Sequence, residues 1–379
     1  MAATRADLIV VGAGLAGSAA AWAAAERGMD VVVLEAFQPG HRNGSSHGSA
    51  RIFRRAYPDP LYVRLTGRAG VLWRQLEADA GESLLRQTGG LDFGARRDPK
   101  QLQEVLTDCG VPTELLEPAE AAERWPFVDF TGAGPVMYHA EAGVLDPDRA
   151  MAAMLRLAAA DGADVRFGTP VTRLEVAPGG DGAVAHTDSG ALAAPVVVIA
   201  AGAWLPDLAG ELVPLPRLTV TQQQVFHFAP RQAAAEPWPI VICQHEADNF
   251  YALPGGRDGE LPGAIKLASD ERDTTTTATT RDFDVDPAAR EAATGFVIRR
   301  MPGLASSPVN EVTCLYTSTA NKDFILDRYG PFVIASACSG HGAKFATLLG
   351  ELIVALSAGD PPSDERFTLA AHRAADAGS

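Results

Sequence analysis

Leu8-Ile9-Val10-Val11-Gly12-Ala13-Gly14-Leu15-Ala16-Gly17 decides the reading of this chain. Four consecutive apolar residues have the composition of a strand buried on both faces of a parallel sheet. The glycines follow at once with GxGxxG spacing, and the Ala-rich run from Ser18 to Arg27 predicts a helix that Gly28 ends. A second apolar strand, Val31 to Leu34, stops at Glu35, 18 residues beyond Gly17. The glycine spacing alone is weak, because Gly-rich turns are common. With a strand before it and a helix after it, it reads as a dinucleotide site. Gly12 permits the tight turn, Gly14 lets a pyrophosphate approach the backbone, and Gly17 lets helix and strand pack closely. The N-terminus of that helix offers N–H groups and a positive dipole end to the phosphates, and Leu15 and Ala16 of the turn are expected beside the cofactor. Glu35, with Ala36 beside it, would accept hydrogen bonds from the ribose hydroxyls, which suits FAD or NAD and disfavours NADP.

Working outward, 379 residues suffice for two domains and a large core. Acidic residues outnumber basic ones 47 to 32, a net charge of −15. That balance argues against a nucleic-acid partner, which needs clustered Lys and Arg. It leaves room for an anionic substrate, since a few basic side chains set the potential of a pocket. Cys109, Cys243, Cys314 and Cys338 show neither Cys-x-x-Cys nor zinc spacing, so no disulfide framework and no metal site is expected. No apolar run approaches the ~20 residues of a membrane helix. The polar start, Met1 to Asp7, leads straight into a strand without room for a signal peptide, so a cytoplasmic protein is expected.

Further along, apolar residues at helical spacing predict helices over 61–80 and 147–162. Strands are expected from Gly162 to Phe167, from Val171 to Val176, and in the apolar run from Ala194 that ends in Ala201-Gly202-Ala203-Trp204. Between about 214 and 319 the pattern alternates, as in Thr221 to Phe228 and Phe250 to Leu253, which predicts an antiparallel sheet. The polar run Thr274 to Thr280 reads as a surface connection. Phe332 to Ala335 returns to buried-strand composition, followed by a Gly-rich turn and a helix from Phe345 to Ser357. The last residues, Ala370 to Ser379, are expected to fray. Parallel elements at both ends around an antiparallel insert give a mixed α/β (α+β) fold. A discontinuous Rossmann-type domain is expected from 1–82, 144–213 and 320–379, and a substrate domain from 83–143 and 214–319.

Three further motifs carry a resemblance. They are Asn43-Gly44-Ser45-Ser46-His47-Gly48-Ser49-Ala50-Arg51-Ile52-Phe53-Arg54-Arg55-Ala56-Tyr57, then Cys314-Leu315-Tyr316-Thr317, then Ser339-Gly340-His341-Gly342-Ala343-Lys344-Phe345. Their order and content resemble the monomeric sarcosine oxidase and N-methyltryptophan oxidase family of FAD-dependent amine oxidases, over nearly the whole chain. The resemblance implies a D-amino acid oxidase-like architecture and FAD joined covalently through Cys314 to the 8α-methyl of its ring. It places Ser46, His47, Val171, Ala201, Gly202, Trp204, Gly340 and Gly342 around the cofactor. His341 and Lys344 would supply positive charge near flavin N1 and C2=O, and Arg51 would support the ring from the other face. Arg54 and Lys344 would clamp the substrate carboxylate, whereas Arg55 reads as a solvated strand edge. Lys266 would activate oxygen, and Tyr57, Tyr251 and Tyr316 would line the substrate pocket.

The resemblance implies hydride transfer from the carbon beside nitrogen to the flavin, hydrolysis of the resulting imine, and reduction of O2 to hydrogen peroxide. The substrate would be a small secondary amino acid and the enzyme a monomer. Departures bear on specificity: Asp270 stands where the sarcosine-oxidising relatives carry a His, Ala50 replaces a Thr, and Cys338 and Ala343 replace aromatics. A bulkier cyclic imino acid, pipecolate-like or a biosynthetic intermediate, is therefore an alternative substrate. A flavin dehydrogenase using another acceptor is a second alternative. A nicotinamide-dependent monooxygenase is disfavoured, because no second GxGxxG is present.

Overall fold

The strand Leu8–Val11 lies inside a six-stranded sheet of order Asp164–Arg166, Val31–Leu34, Leu8–Val11, Val196–Ile199, Phe332–Ser336, Ile325–Tyr329. All neighbours are parallel except the last pair. The computed structural model describes residues 4–232, 237–246 and 248–377. Strand alternation sorts the apolar residues onto two faces. Leu8, Val10, Val31, Val33, Val196 and Val198 pack with the helices Leu15–Ala25 and Ala346–Ala358. Ile9, Val11, Val32, Leu34, Val197 and Ile199 pack against the sheet formed by Val171–Val176, Ala183–Thr187 and Gly190–Ala194. Leu8, Ile9 and Val10 are completely buried, each burial contributing about 1.5–3 kcal/mol. Both faces being covered explains why the strand sequence does not alternate.

A second, eight-stranded sheet runs in the order Leu304–Ser318, Thr219–Pro230, Ile265–Thr275, Asp248–Pro254, Ile240–His245, Gly90–Phe93, Val136–His139, Glu114–Leu116. Its pairings are antiparallel except that of Ile240–His245 with Gly90–Phe93. One face buries Phe226, Phe228, Phe250, Ile265 and Leu267 under the helix Pro287–Arg300. The fold is thus the mixed α/β arrangement expected, with parallel and largely antiparallel sheets. Period-two alternation turns Lys266, between Ile265 and Leu267, to the other face, together with Gln223, Ile242 and Cys314. That face forms a wall of the cavity described below.

The expected helices take the bounds Pro60–Ala80 and Pro147–Ala160, each capped by an Asp side chain, Asp59 and Asp146. The polar Thr run is not all connection: Thr274 and Thr275 end the strand Ile265–Thr275, paired with Gln222 and Thr221. The chain end is not frayed throughout. Leu369–Ala377 is a helix, because Leu369 is buried and His372 Nε2 lies 2.8 Å from the Phe324 carbonyl oxygen. Among the described residues, no helix is long and apolar enough to cross a membrane.

Candidate active site and cofactor cleft

One cavity of about 1490 Å³ runs from the glycine turn to the inner face of the eight-stranded sheet. It exceeds the ~300–1,000 Å³ of an ordinary small-molecule site, so it has room for a dinucleotide and a substrate together. At its nucleotide end Gly12 has φ +97°, and a Cβ there would stand 2.6 Å from the Ala200 carbonyl oxygen. A Cβ on Gly17 would meet the Gly12 oxygen at 1.8 Å. Gly17 therefore serves the approach of helix to strand and does not line the cavity, whereas Gly12, Gly14, Leu15 and Ala16 do. The helix starts on Gly14 with no side-chain cap, and Ser46 Oγ accepts from Leu15 N–H at 3.1 Å. The helix dipole and remaining N–H groups thus face the cavity.

Glu35 accepts from Ala13 N–H at 2.7 Å and from Phe37 N–H at 3.0 Å. These bonds hold its carboxylate at the cavity while each oxygen keeps a lone pair for a ribose hydroxyl. Ala36, His47, Val171, Ala201, Gly202 and Trp204 line the same stretch. A groove with an uncapped helix N-terminus at one end and the Glu35 carboxylate held at its wall fits the pyrophosphate and ribose of the dinucleotide FAD.

At the other end, Arg51 and Lys266 gather on three backbone carbonyls. Arg51 Nη1 and Lys266 Nζ donate to the Ala50 oxygen at 2.9 and 3.1 Å. Arg51 Nη2 also donates to the carbonyls of Ser45 and His47, at 3.0 and 2.7 Å, and lies 3.5 Å from Cys314 Sγ. Burial opposes ionisation of the Cys314 thiol, but Arg51, His47 and Lys266 outweigh it and bring the pKa down to about 6. Lys266 is itself drawn down to about 8, by burial first and then by Arg51. Asp258 works against that fall. Its carboxylate accepts from Ser49, and Lys266 holds it below the usual range although burial would raise it.

Arg54 Nη1 donates to the Ala56 carbonyl, and its guanidinium carbon sits 4.9 Å from the Tyr57 ring centroid. Lys344, in the turn Gly342–Phe345, is buried and donates to the His341 carbonyl at 2.8 Å. Tyr251 and Tyr316 bring their hydroxyls within 3.2 Å. Gly340, with φ +76°, leaves Tyr316 its place, since a Cβ there would fall 2.7 Å from the ring. Asp270 lies on the strand Ile265–Thr275, but its side chain falls outside the described residues.

Two expectations need correction. His341 supplies no positive charge: burial, then Lys344, depress its pKa to about 3. Its Nε2 faces the Lys322 carbonyl at 2.9 Å and its Nδ1 faces Tyr57 OH at 3.0 Å, a pattern that suits the neutral ring donating from Nε2. Arg55 is not a solvated edge, for it pairs with Glu141 at 3.0 Å with 17% of its side chain exposed. Sequence reasoning also missed Arg97 and Asp258, which reach the cavity from a turn and from the short 3-10 helix Arg257–Gly259.

A nucleotide groove that opens into a chamber where buried cations favour ionisation of a thiol suits a flavin-dependent oxidoreductase. The chain is a member of the DAO family, FAD dependent oxidoreductase, whose model matches residues 7–356. It is 34% identical to the monomeric sarcosine oxidase of Streptomyces avermitilis over 365 residues, covering 93% of each chain. It is 31% identical to the N-methyl-L-tryptophan oxidase of Yersinia pestis over 384 residues, 97% of this chain and 99% of that one. Among solved structures, NikD, described as an unusual amino acid oxidase essential for nikkomycin biosynthesis, superposes with a TM-score of 0.84. The match covers 96% of both chains at 25% identity.

Proposed function

We propose that this enzyme oxidises the C–N bond of a secondary amino acid, N-methylated or cyclic, to an imine, with O2 as acceptor and FAD joined to Cys314. One observation carries the reading. Arg51 and Lys266 converge beside the Cys314 thiol in the same cavity whose wall also holds Arg54 and Lys344. When bound, FAD would supply the hydride acceptor for the carbon beside nitrogen and the route by which the two electrons reach oxygen, giving hydrogen peroxide.

The protein's own part is positioning and charge. Arg54, as a planar fork, and Lys344, as a point charge, would hold the carboxylate and so fix the adjacent C–H bond. Tyr57, Tyr251 and Tyr316 line the same cavity and would close the chamber around it. Cys314 would hold the cofactor as a thioether, the thiolate being its reactive form. Arg51 would stabilise negative charge on the cofactor. Lys266 keeps its proton below pH about 8 and would present that charge to oxygen. No strong base is required, because the substrate amine needs only to be neutral.

Cys338 and Ala343, small side chains on the cavity wall, favour a substrate bulkier than sarcosine, such as a cyclic imino acid. Residues 1–82, 144–213 and 320–379 would hold FAD, and 83–143 with 214–319 the substrate. The separation of the parallel and antiparallel sheets supports that division. The same proposal takes the enzyme as a cytoplasmic monomer. Peroxide formation across a panel of N-methyl and cyclic amino acids tests the reaction. A yellow protein that no secondary amino acid bleaches without oxygen would end the proposal.

A further inference from the structure

Two cavities meet at Ser49 and Asp258. Ser49 lines an outer hollow of about 630 Å³ with Arg149, Gly256 and Arg257, whereas Asp258 lines the inner chamber with Arg51 and Lys266. The pair is bonded three ways. Ser49 donates to Asp258 Oδ1 from its N–H at 3.2 Å and from its Oγ, and Asp258 N–H donates back to Ser49 Oγ at 3.0 Å. From behind, Asn310 Nδ2 donates to the Asp258 carbonyl at 2.7 Å. The carboxylate is therefore fixed to the backbone at Ser49, one residue before Ala50, whose carbonyl receives both Arg51 Nη1 and Lys266 Nζ. Gly48 leaves room for this approach. Asp258 Oδ2 and Arg51 Nη1 lie 2.8 and 3.5 Å from the point where a Cβ at that position would stand.

Lys266 is buried, so its ammonium persists only where other charges replace the lost water. Burial, then Arg51 on the strand Arg51–Phe53, weaken its hold on the proton. His227, its cross-strand partner on Thr219–Pro230, is neutral at ordinary pH, since burial depresses its pKa to about 4. On Asp248–Pro254 its partner Leu253 is apolar, and Tyr251 turns its hydroxyl to Tyr316. Cys314, on Leu304–Ser318, supports the ammonium only as a thiolate, and a thioether would carry no charge. Two carboxylates remain. Asp148, on the helix Pro147–Ala160, accepts from Gly48 N–H at 2.9 Å, but burial lifts its pKa. For Asp258 burial acts the same way, yet Lys266 and the Ser49 bond outweigh it and hold the pKa below the usual range. Of the two, Asp258 is the one whose surroundings favour the anion.

We propose that Asp258 is a positioning residue for the oxygen step: bolted to Ser49, its carboxylate is the counter-charge that keeps the Lys266 ammonium charged inside the cavity. The task given to Lys266 rests on the oxidase reading, whereas the coupling of the two side chains does not. An opposite charge held within a few ångströms stabilises an ammonium without competing for its hydrogen-bond geometry, so Asp258 acts through Lys266 and needs no contact with substrate.

The chain has four lysines, Lys100, Lys266, Lys322 and Lys344, so NMR of holoenzyme isotope-labelled at lysine Cε gives one signal for each. Lys266→Met assigns the signal in question, and its pH titration reads the ammonium without turnover. In Asp258→Asn the Lys266 midpoint is expected about one pH unit below the parent's, a roughly tenfold loss of proton affinity. Asp258→Glu, which restores the charge, recovers part of it. Ser49→Ala keeps the charge but loosens its attachment, so its midpoint falls between those of the parent and Asp258→Asn, and it carries the test if the Asn variant does not fold. In stopped-flow measurements the alkaline limb of reoxidation moves down with the midpoint. A Lys266 midpoint unmoved in Asp258→Asn, or in Ser49→Ala where that variant stands alone, overturns the coupling. A midpoint that falls while reoxidation keeps its pH profile overturns the role in the oxygen step. Failure of every N-methyl or cyclic amino acid to bleach the flavin, with the midpoint shift present, sinks the oxidase reading alone.

Discussion

The Nη2 atom of Arg51 lies 3.5 Å from the sulfur of Cys314, across 263 positions of sequence. The arginine is tied to three carbonyls, those of Ser45, His47 and Ala50, so it cannot swing away from the thiol. A fixed cation beside a buried sulfur favours the thiolate, the form that bonds to carbon.

Cys314→Ser should yield protein that releases its flavin on acid denaturation, whereas the parent keeps the yellow colour on the polypeptide. Free FAD from the acid-treated parent would refute the thioether. Arg51→Met should slow attachment of added FAD to apoprotein, because burial then raises the thiol pKa unopposed by its largest electrostatic partner.

Lys266→Met is expected to slow reoxidation by oxygen about 10²- to 10³-fold, the usual scale for one lost electrostatic donor, and to leave anaerobic bleaching by substrate nearly unchanged. In the parent, reoxidation should decline as the pH rises through about 8, where Lys266 gives up its proton. Stopped-flow measurement of the two half-reactions separates these effects. Equal slowing of both would remove Lys266 from the oxygen step.

Arg54→Met should raise KM about 10- to 100-fold, as expected for charge-assisted hydrogen bonds to a carboxylate. An N-methyl amine lacking the carboxylate should lose little. If both substrates suffer alike, Arg54 supports the fold through Ala56 and does not grip the substrate.

Acid should unfold this protein early. His139, His227 and His341 have folded pKa values depressed by burial to about 4, 4 and 3, against an ordinary 6.5. The unfolded chain then binds more protons below pH about 6.5, so stability falls with pH from there toward about 3 to 4. Denaturant midpoints measured between pH 7 and 4 should drop, and His341→Gln should make that drop shallower. An unchanged slope would place the ring in contact with water.

The nucleotide end was legible in the sequence because its physics is local. A tight turn, a helix start and a following strand all fall between Leu8 and Glu35. The chamber was less so. Arg97 meets the Ala56 carbonyl 41 positions away and Asp258 meets Ser49 across 209, and no periodic pattern announces such encounters. The error over His341 has a different origin. Residue type suggests a cation near neutral pH, but ring burial and the Lys344 charge reverse it, and neither is visible along the chain. The helix Pro287–Arg300 had a signal that went unused, since Asp286 before Pro287 caps it by accepting from Ala288 N–H.

Cys314 and Lys266 stand on the two strands that flank Thr219–Pro230, opposite Gln223 and His227 respectively. Their separation is therefore set by a backbone ladder and not by loops. Warming or ligand release that loosens the connecting segments leaves that interval unchanged, so thiol and ammonium travel as one body. A duplicated gene could diverge freely in the loops bearing Arg97 and still inherit this wall of the cavity intact.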